Sequence, residues 1–305
     1  MARFTKLIGM DKDEAREYLE RLRWPNGPAC PHCGGTIIYA LQAKPDSKRP
    51  VRKGVYKCKE CRKQFTVTVG TIFEGSHIPL NKWLTAFSLM CSSKKGISAH
   101  QLHRLLGITF KSAWFMAHRI RYAMDEGPFK EKLIGVIEAD ETYVGGKSYG
   151  RKHTGRGTTK SPVAALVQRD GKVKSKHVPR VTSANLREFL WENADKSSTT
   201  LMTDEFPVYK LIGHSFKEHK VIKHRLKQYV KGEVHTNTVE GYFSILKRGI
   251  NGVYQHVSKK HLQRYLYEFD FRYNTRKVDD AERTVAALSQ IEGKRLIYKE
   301  TKLGL

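Results

Sequence analysis

The chain has 305 residues, enough for two or three domains, and carries 56 Lys plus Arg against 30 Asp plus Glu, a formal net charge of +26. An excess of that size points to a polyanionic partner, nucleic acid first and an anionic membrane surface second. No run of about 18 apolar residues is present to span a bilayer as a helix, and the N-terminus "MARFTKLIGMDKDEAREYLERLRWPNG" is too charged for a signal peptide, so a cytoplasmic location is expected.

Residues 1–23 are expected to hold a short helix over 11–23, with Leu19 and Leu22 inward. Two knuckles follow, "CPHC" (Cys30, Cys33) and "CKEC" (Cys58, Cys61), with 24 residues between the pairs. In a reducing compartment, four thiolates in this pattern suit one tetrahedral structural Zn2+; two disulfides are the alternative. The stretch "VYKCKECRKQFTVTVGTIF" alternates apolar and polar residues as strands do. Residues 24–75 therefore read as a zinc ribbon, a module too small to fold without its metal. The fifth cysteine, Cys91, lies in the apolar run "LTAFSLMC" and reads as a buried helix residue.

Residues 76–127 read as helical. Leu80 to Met90 forms one helix, and "KKGIS" breaks it. Ser98 caps a short helix ending near Leu106, Gly107 makes a turn, and Thr109 caps a longer helix through Met124. Ala113, Met116, Ile120 and Met124 are expected inward, with Lys111, Trp114, His118 and Arg121 on a second stripe. Helix, glycine turn and helix is the helix-turn-helix pattern. Given the charge excess it is expected to bind DNA, with Lys111 and Arg121 as contacts. The bland alternative is a helical linker, with Trp114 in the core.

From residue 131 the pattern changes. "LIGVIEADETYVGG" reads as a strand, followed by the basic, glycine-rich loop "KSYGRKHTGRGTTK". "PVAALVQ" and "KVKSKHVP" form a hairpin across "RDG". Then come the helix "SANLREFLWENADK" capped by Ser183, the strand "TTLMT", the short helix "FPVYKLIG", the strand "SFKEHKVIK" and a helix beginning in "HTNTVEGYFSILKRG". The order β, β, β, α, β, α, β, α is that of the ribonuclease-H-like fold, an analogy of topology. The whole chain is thus expected to be an α+β and α/β multidomain protein. Its parts are a zinc ribbon, a helix-turn-helix, a ribonuclease-H-like core with a mixed sheet over 131–280, and a tail over 281–305.

In that topology the first strand, the end of the fourth strand and the last helix converge, and each carries an acid: Asp140, Asp204 and Glu240. Carboxylates gathered in a core repel one another unless a cation neutralises them. Mg2+ or Mn2+ accepts carboxylate oxygens and keeps open positions for phosphate and water. Two such ions suit phosphodiester chemistry, activating the attacking oxygen and stabilising the leaving one. Each acid has a plainer reading. Glu240 fits a capping box with Asn237 as N-cap, and Asp204 fits a helix N-cap. Glu138, on the same strand face as Asp140, or Glu141 could replace it as ligand, and Glu205 is the weaker neighbour of Asp204.

Together "RWPNGPACPHCGG", "YKCKECRKQFTVTVGTIFEGSHIPL", "ADETYVGGK", "MTDEFPVY" and "HTNTVEGYFSILKRGI" resemble the zinc-ribbon DDE transposases of bacterial insertion sequences and the related Merlin-type transposases, over about residues 20–275. The resemblance implies a catalytic triad of Asp140, Asp204 and Glu240. The reaction it implies is cutting at the terminal inverted repeats of an element, exposure of 3′ hydroxyls, and joining of those ends to target DNA. It also implies a basic residue seven positions after the glutamate, which is Lys247, with Arg248 as the alternative phosphate contact. Double-stranded DNA is then the partner and no membrane is needed. Synapsis of two ends implies at least a homodimer. Between Thr142 and Arg187 stand eleven Lys or Arg and one acid. Lys147, Arg151, Lys152 and Arg156 of the glycine-rich loop are expected to track the DNA backbone without reading sequence. A DNA-binding regulator with a degenerate core, and a structure-selective nuclease, are the competing functions.

Overall fold

The structure is a computed structural model that describes residues 7–42, 51–127, 132–145, 160–223, 230 and 232–303. Its first elements are α1 (Lys12–Arg23), β1 (Ile38–Ala40), β2 (Tyr56–Cys58), β3 (Gln64–Phe65), α2 (Leu80–Ser92), α3 (Ala99–Leu106) and α4 (Phe110–Ala123). Next come β4 (Leu133–Val144), β5 (Ser161–Gln168), β6 (Val173–His177), α5 (Ser183–Asn193), β7 (Ala194–Thr203), α6 (Pro207–Gly213) and β8 (Glu218–Val221). The chain ends with α7 (Asn237–Gly249), a π-helical turn (Ile250–Tyr254), α8 (Leu262–Asn274), α9 (Asp280–Leu288) and α10 (Tyr298–Leu303). Two compact units result, one of residues 1–93, 99–123 and 278–302, the other chiefly of 94–98 and 124–277.

In the first unit α1 starts where its sequence says a helix should. Asp11 Oδ1 accepts from the Asp13 and Glu14 amides at 2.8 Å, and Glu14 Oε2 accepts from the Asp11 amide at 2.9 Å, a complete capping box. Ala15 and Leu19 are buried, while Leu22 is only half-buried. The antiparallel sheet β1-β2-β3 carries the ribbon. Its strands are too short to close a core alone, and Trp24 packs edge-on against Tyr56 (5.4 Å) and Phe65 (5.9 Å). Arg23 Nη1 donates to the carbonyls of Val67 and Val69 at 2.7 and 2.8 Å, tying α1 to the end of the ribbon. Helices α3 and α4, joined through Gly107 at φ +56°, pack on each other and on α2. Thr109 Oγ1 accepts from the Ser112 amide at 3.2 Å, the cap its position suggests.

Residues expected as a tail are built into this first unit. Helix α9 packs on α2, the Gly293 amide donates to the Gly70 carbonyl at 2.9 Å, and Arg23 pairs with Glu292 at 3.0 Å. The ribbon, the helix-turn-helix and the segment from 278 thus share one unit instead of forming separate modules.

The second unit is a five-stranded mixed sheet in the order β6-β5-β4-β7-β8. β4 and β6 flank β5 antiparallel, while β4–β7 and β7–β8 are parallel. Successive side chains of β5 serve opposite faces. Ala164 and Leu166 join Phe189, Leu190, Leu201, Tyr209 and Ile212 under α5 and α6. Val163, Ala165 and Val167 join Val239, Phe243, Leu246, Leu266 and Phe269 under α7 and α8. Burial on both faces explains why "PVAALVQ" is a continuous apolar run. This is the ribonuclease-H-like arrangement expected from the element order. Two local details differ. The N-cap of α5 is Thr182, accepting from the Asn185 amide at 3.3 Å, in place of Ser183. Strand β7 also begins earlier than "TTLMT" because it pairs back to Leu133 through an irregular register.

Candidate functional site

The two cysteine knuckles face each other. The Gly34 amide donates to the Cys30 carbonyl at 2.9 Å and the Cys58 amide donates to the Lys63 carbonyl at 3.1 Å, bending each knuckle around its thiols. Cys30 Sγ lies 3.6 Å from Cys61 Sγ, Cys33 Sγ lies 3.6 Å from Cys58 Sγ, and all four sulfurs fall within 4.8 Å of one another. A tetrahedral site with Zn–S bonds of about 2.3 Å has sulfur–sulfur edges of roughly 3.8 Å. The set fits that size, and its facing sulfur pairs, 3.6 Å apart, lie far outside the S–S bond length of about 2.05 Å that the disulfide alternative needs. Burial pushes the Cys30 thiol up, but hydrogen bonds from the His32 and Cys33 amides and from neighbouring sulfurs outweigh it and hold it at about 7. At Cys33 a hydrogen bond from the Gly35 amide pulls the other way, but burial and the neighbouring sulfurs push the thiol up to about 12. Cys91 is buried in α2. Among the described residues, these four cysteines form the one group of three or more candidate metal-binding side chains drawn so close.

Two of the three expected acids, Asp140 and Asp204, are positioned by the neighbouring strands β4 and β7. The last parallel pair between β4 and β7 is Glu138 with Met202. Two residues beyond that pair stand Asp140, still within β4, and Asp204, the first residue past the end of β7. Both are half-buried. Asp140 Oδ1 accepts from the Glu141 amide at 2.8 Å. Asp204 Oδ1 accepts from the Phe206 amide at 2.9 Å, a turn that leads into α6, whose own N-cap is Phe206 followed by Pro207. Glu141 stands in the same electrostatic neighbourhood. Burial pushes its carboxyl up to about 8; the Tyr209 hydroxyl, which donates to Glu141 Oε1, works against the rise, and the charges of Asp140 and Asp204 add to it. Three carboxylates at the end of β4 and β7 therefore repel one another, the condition a divalent cation relieves.

Glu240 is exposed in the first turn of α7. Its Oε1 accepts from Thr236 Oγ1 at 3.0 Å. Thr236, not the expected Asn237, is the N-cap, so Glu240 is the fourth helical residue and the alternative reading, a capping box with Asn237, does not hold. The helix start is held by Glu138 instead. Glu138 is fully buried; its Oε2 accepts from the Thr238 and Val239 amides at 2.8 and 3.1 Å. Its Oε1 accepts from Arg169 Nε at 2.8 Å and Thr238 Oγ1 at 2.9 Å, with His235 Nδ1 at 3.2 Å. Both Glu138 oxygens are thus engaged within the protein, whereas Asp140 accepts a local hydrogen bond, from the Glu141 amide. Its partners on α7 lie a hundred residues on and Arg169 lies 31 residues on, so only its burial on an apolar strand hints at them in the sequence.

Lys247 and Arg248 are exposed near the C-terminal end of α7. Seven residues along a helix is nearly two turns, about 10 Å, so Lys247 shares the face of Glu240. Arg248 Nε donates to the Ser244 carbonyl at 3.2 Å. Lys111 is exposed, its Nζ 4.9 Å from the Tyr298 ring centre. Arg121 is not exposed as expected but buried, with only 2 % of its surface accessible. Helix α4 hides more than one stripe, His118, Arg119 and Ile120 included, and Trp114 packs on His118 at 4.2 Å, so of the expected basic stripe Lys111 alone faces outward. Lys147, Arg151, Lys152 and Arg156 lie outside the described residues. No helix among the described residues is long and apolar enough to cross a membrane.

Residues 132–274 match the ISXO2-like transposase domain, and residues 10–64 match a transposase zinc-ribbon domain. The chain is 30 % identical over 275 residues to an uncharacterized protein in transposable element ISH50 of Halobacterium salinarum, covering 85 % of this chain and 89 % of that protein. That relative is archaeal, so similar chains are not confined to bacteria. A crystal structure of a pre-cleavage Mos1 transpososome aligns with 65 % of this chain and 75 % of its own at 13 % identity and a TM-score of 0.23, too low to establish a shared fold. The two domain matches, in the order of the motifs that suggested them, and the near full-length likeness to a transposable-element protein place the chain in the ISXO2-like transposase family, with its zinc-ribbon domain.

Proposed function

We propose that the chain is a DNA transposase that binds the terminal inverted repeats of its element, cuts to expose 3′ hydroxyls and joins them to target DNA. The observation that supports this reading is the parallel β4–β7 pairing, whose last pair, Glu138 with Met202, comes two residues before Asp140 and Asp204, while Glu138 also holds the start of α7, the helix of Glu240. Asp140, Asp204 and Glu240 would hold two Mg2+ or Mn2+ ions, which when bound supply activation of the attacking oxygen and stabilisation of the leaving oxygen. The chain's own groups do the rest. Lys247 and Arg248 bind phosphate oxygens on the outer face of α7, and Lys111 with the basic segment 147–156 neutralises the DNA backbone. The ribbon, held by one structural Zn2+, and the helix-turn-helix select the element ends. The reaction takes place on DNA in the cytoplasm, and pairing two ends requires two or more copies of the chain.

The test is a product analysis. Purified protein, Mg2+ and linear DNA carrying the repeats that flank its reading frame should give cut 3′ ends and then joined strands. Cut ends without joined strands would favour a nuclease, and binding without cutting would favour a regulator; either overturns the transposase reading.

A further inference from the structure

We propose that Glu138 and Arg169 are positioning residues that aim Glu240 at the metal site, which rests on the function proposed above. Arg169 lies in the β5–β6 turn. Its Nε donates to Glu138 Oε1 at 2.8 Å, its Nη1 to the Glu233 carbonyl at 2.7 Å and its Nη2 to the His235 carbonyl at 3.1 Å. One planar guanidinium thus grips the approach to α7 in two places while it fixes the carboxylate. Glu138 in turn takes the Thr238 and Val239 amides, two of the helix donors that have no partner within the helix. A carboxylate at that end also complements the helix dipole.

The clamp and the ligand belong to one turn. Glu240 follows Thr238 by two residues, and Asp140 follows Glu138 by two residues. The same side chain therefore ties the helix that carries one ligand to the strand that carries another. A helix advances about 100° per residue, so starting α7 one residue later would swing Glu240 round the helix axis by that angle. A buried ion pair with no such role would support only the fold. The two roles differ in what they do to metal affinity.

The experiment is a Mn2+ titration of the full-length protein by electron paramagnetic resonance, in which a zinc-filled ribbon is silent. Wild type, Glu138→Gln, Arg169→Lys, Glu240→Gln and the Glu138→Gln/Glu240→Gln double variant are compared. Glu138→Gln should raise the half-saturating Mn2+ concentration about 10-fold, as loss of an outer-shell partner does. Excess Mn2+ should then restore DNA cutting by this variant. In the Glu240→Gln background the same change should add less than about twofold, because the two act through one ligand. Phe189→Ala, a core change under α5, should leave the half-saturating concentration of the folded protein unchanged. Unaltered Mn2+ affinity in Glu138→Gln, or a loss that adds in full to that of Glu240→Gln, overturns the proposal. Should Glu138→Gln fail to fold, Arg169→Lys is judged by the same two criteria. A wild type that binds no Mn2+ at all refutes the proposed function itself, a result distinct from either.

Discussion

Replacing Cys58 by serine should open the ribbon while the helices of the first unit stay folded. Cys58 is fully buried and its sulfur sits 3.6 Å from that of Cys33, so serine cannot recover the site by moving outward. The sheet it belongs to has strands of only three, three and two residues. A structural zinc supplies roughly 10–16 kcal/mol to a small domain of this kind, about 3 kcal/mol for each of four thiolates. That loss is a large share of the 5–15 kcal/mol that holds a typical domain together. The remaining ties include the Trp24–Tyr56–Phe65 aromatic cluster, the Arg23 hydrogen bonds and the Lys53–Asp13 ion pair. They attach the ribbon to α1 but do not bring the two knuckles together. Metal analysis should find one zinc per chain in wild type and much less in Cys58→Ser. Hydrogen exchange should show lost protection for the amides of β2 and β3, with α2 and α4 still protected. Full protection of β2 and β3 in protein proved free of metal would refute the reasoning.

Gly249→Ala should destabilise the second unit by about 1–3 kcal/mol, read from the thermal midpoint, because a Cβ there would stand 2.4 Å from Phe269 Cζ and 2.8 Å from the Lys95 carbonyl oxygen. The usual helix gain of alanine over glycine, about 1 kcal/mol, works in the opposite direction and is outweighed by the backbone oxygen, which cannot yield. Phe189→Ala, emptying the core under α5 at a residue 1 % exposed, should cost about 3–5 kcal/mol in denaturant unfolding. Lys247→Ala removes an exposed cation, so its stability should stay within about 0.5 kcal/mol of wild type. Its DNA binding should weaken and lose about one charge from the salt dependence; an unchanged salt slope would leave Lys247 in solvent.

Much of this organisation is legible locally. The alternation of apolar runs and turn residues gives the order of the strands and helices, and the cysteine spacing gives the ribbon. Asp140 is conspicuous because a carboxylate interrupts an apolar strand. What is hidden depends on contacts between distant parts of the chain. Nothing near Asp279 or Glu292 reveals that α9 packs on α2 or that Glu292 meets Arg23. The burial of Arg121 is hidden because amphipathic reading assumes one buried face, whereas α4 is covered on several. The start of α7 is misread by one residue for a related reason. "HTNTVE" offers Asn237 as a reasonable cap, but of the two amides it could satisfy, that of Val239 is taken by Glu138 and that of Glu240 by the Thr236 carbonyl. Local cap preferences lose to a fully buried carboxylate that needs donors.

The central claim is that Asp140, Asp204 and Glu240 form one metal-holding set. Anomalous diffraction from crystals of the protein–DNA complex grown with Mn2+ tests it most directly. The account predicts anomalous density within ordinary Mn–O bonding distance, about 2.2 Å, of oxygens from all three side chains, with Glu138 still bound to the amides of Thr238 and Val239. Density that instead recruits Glu138 or Glu141 while Glu240 stays in solvent would contradict it.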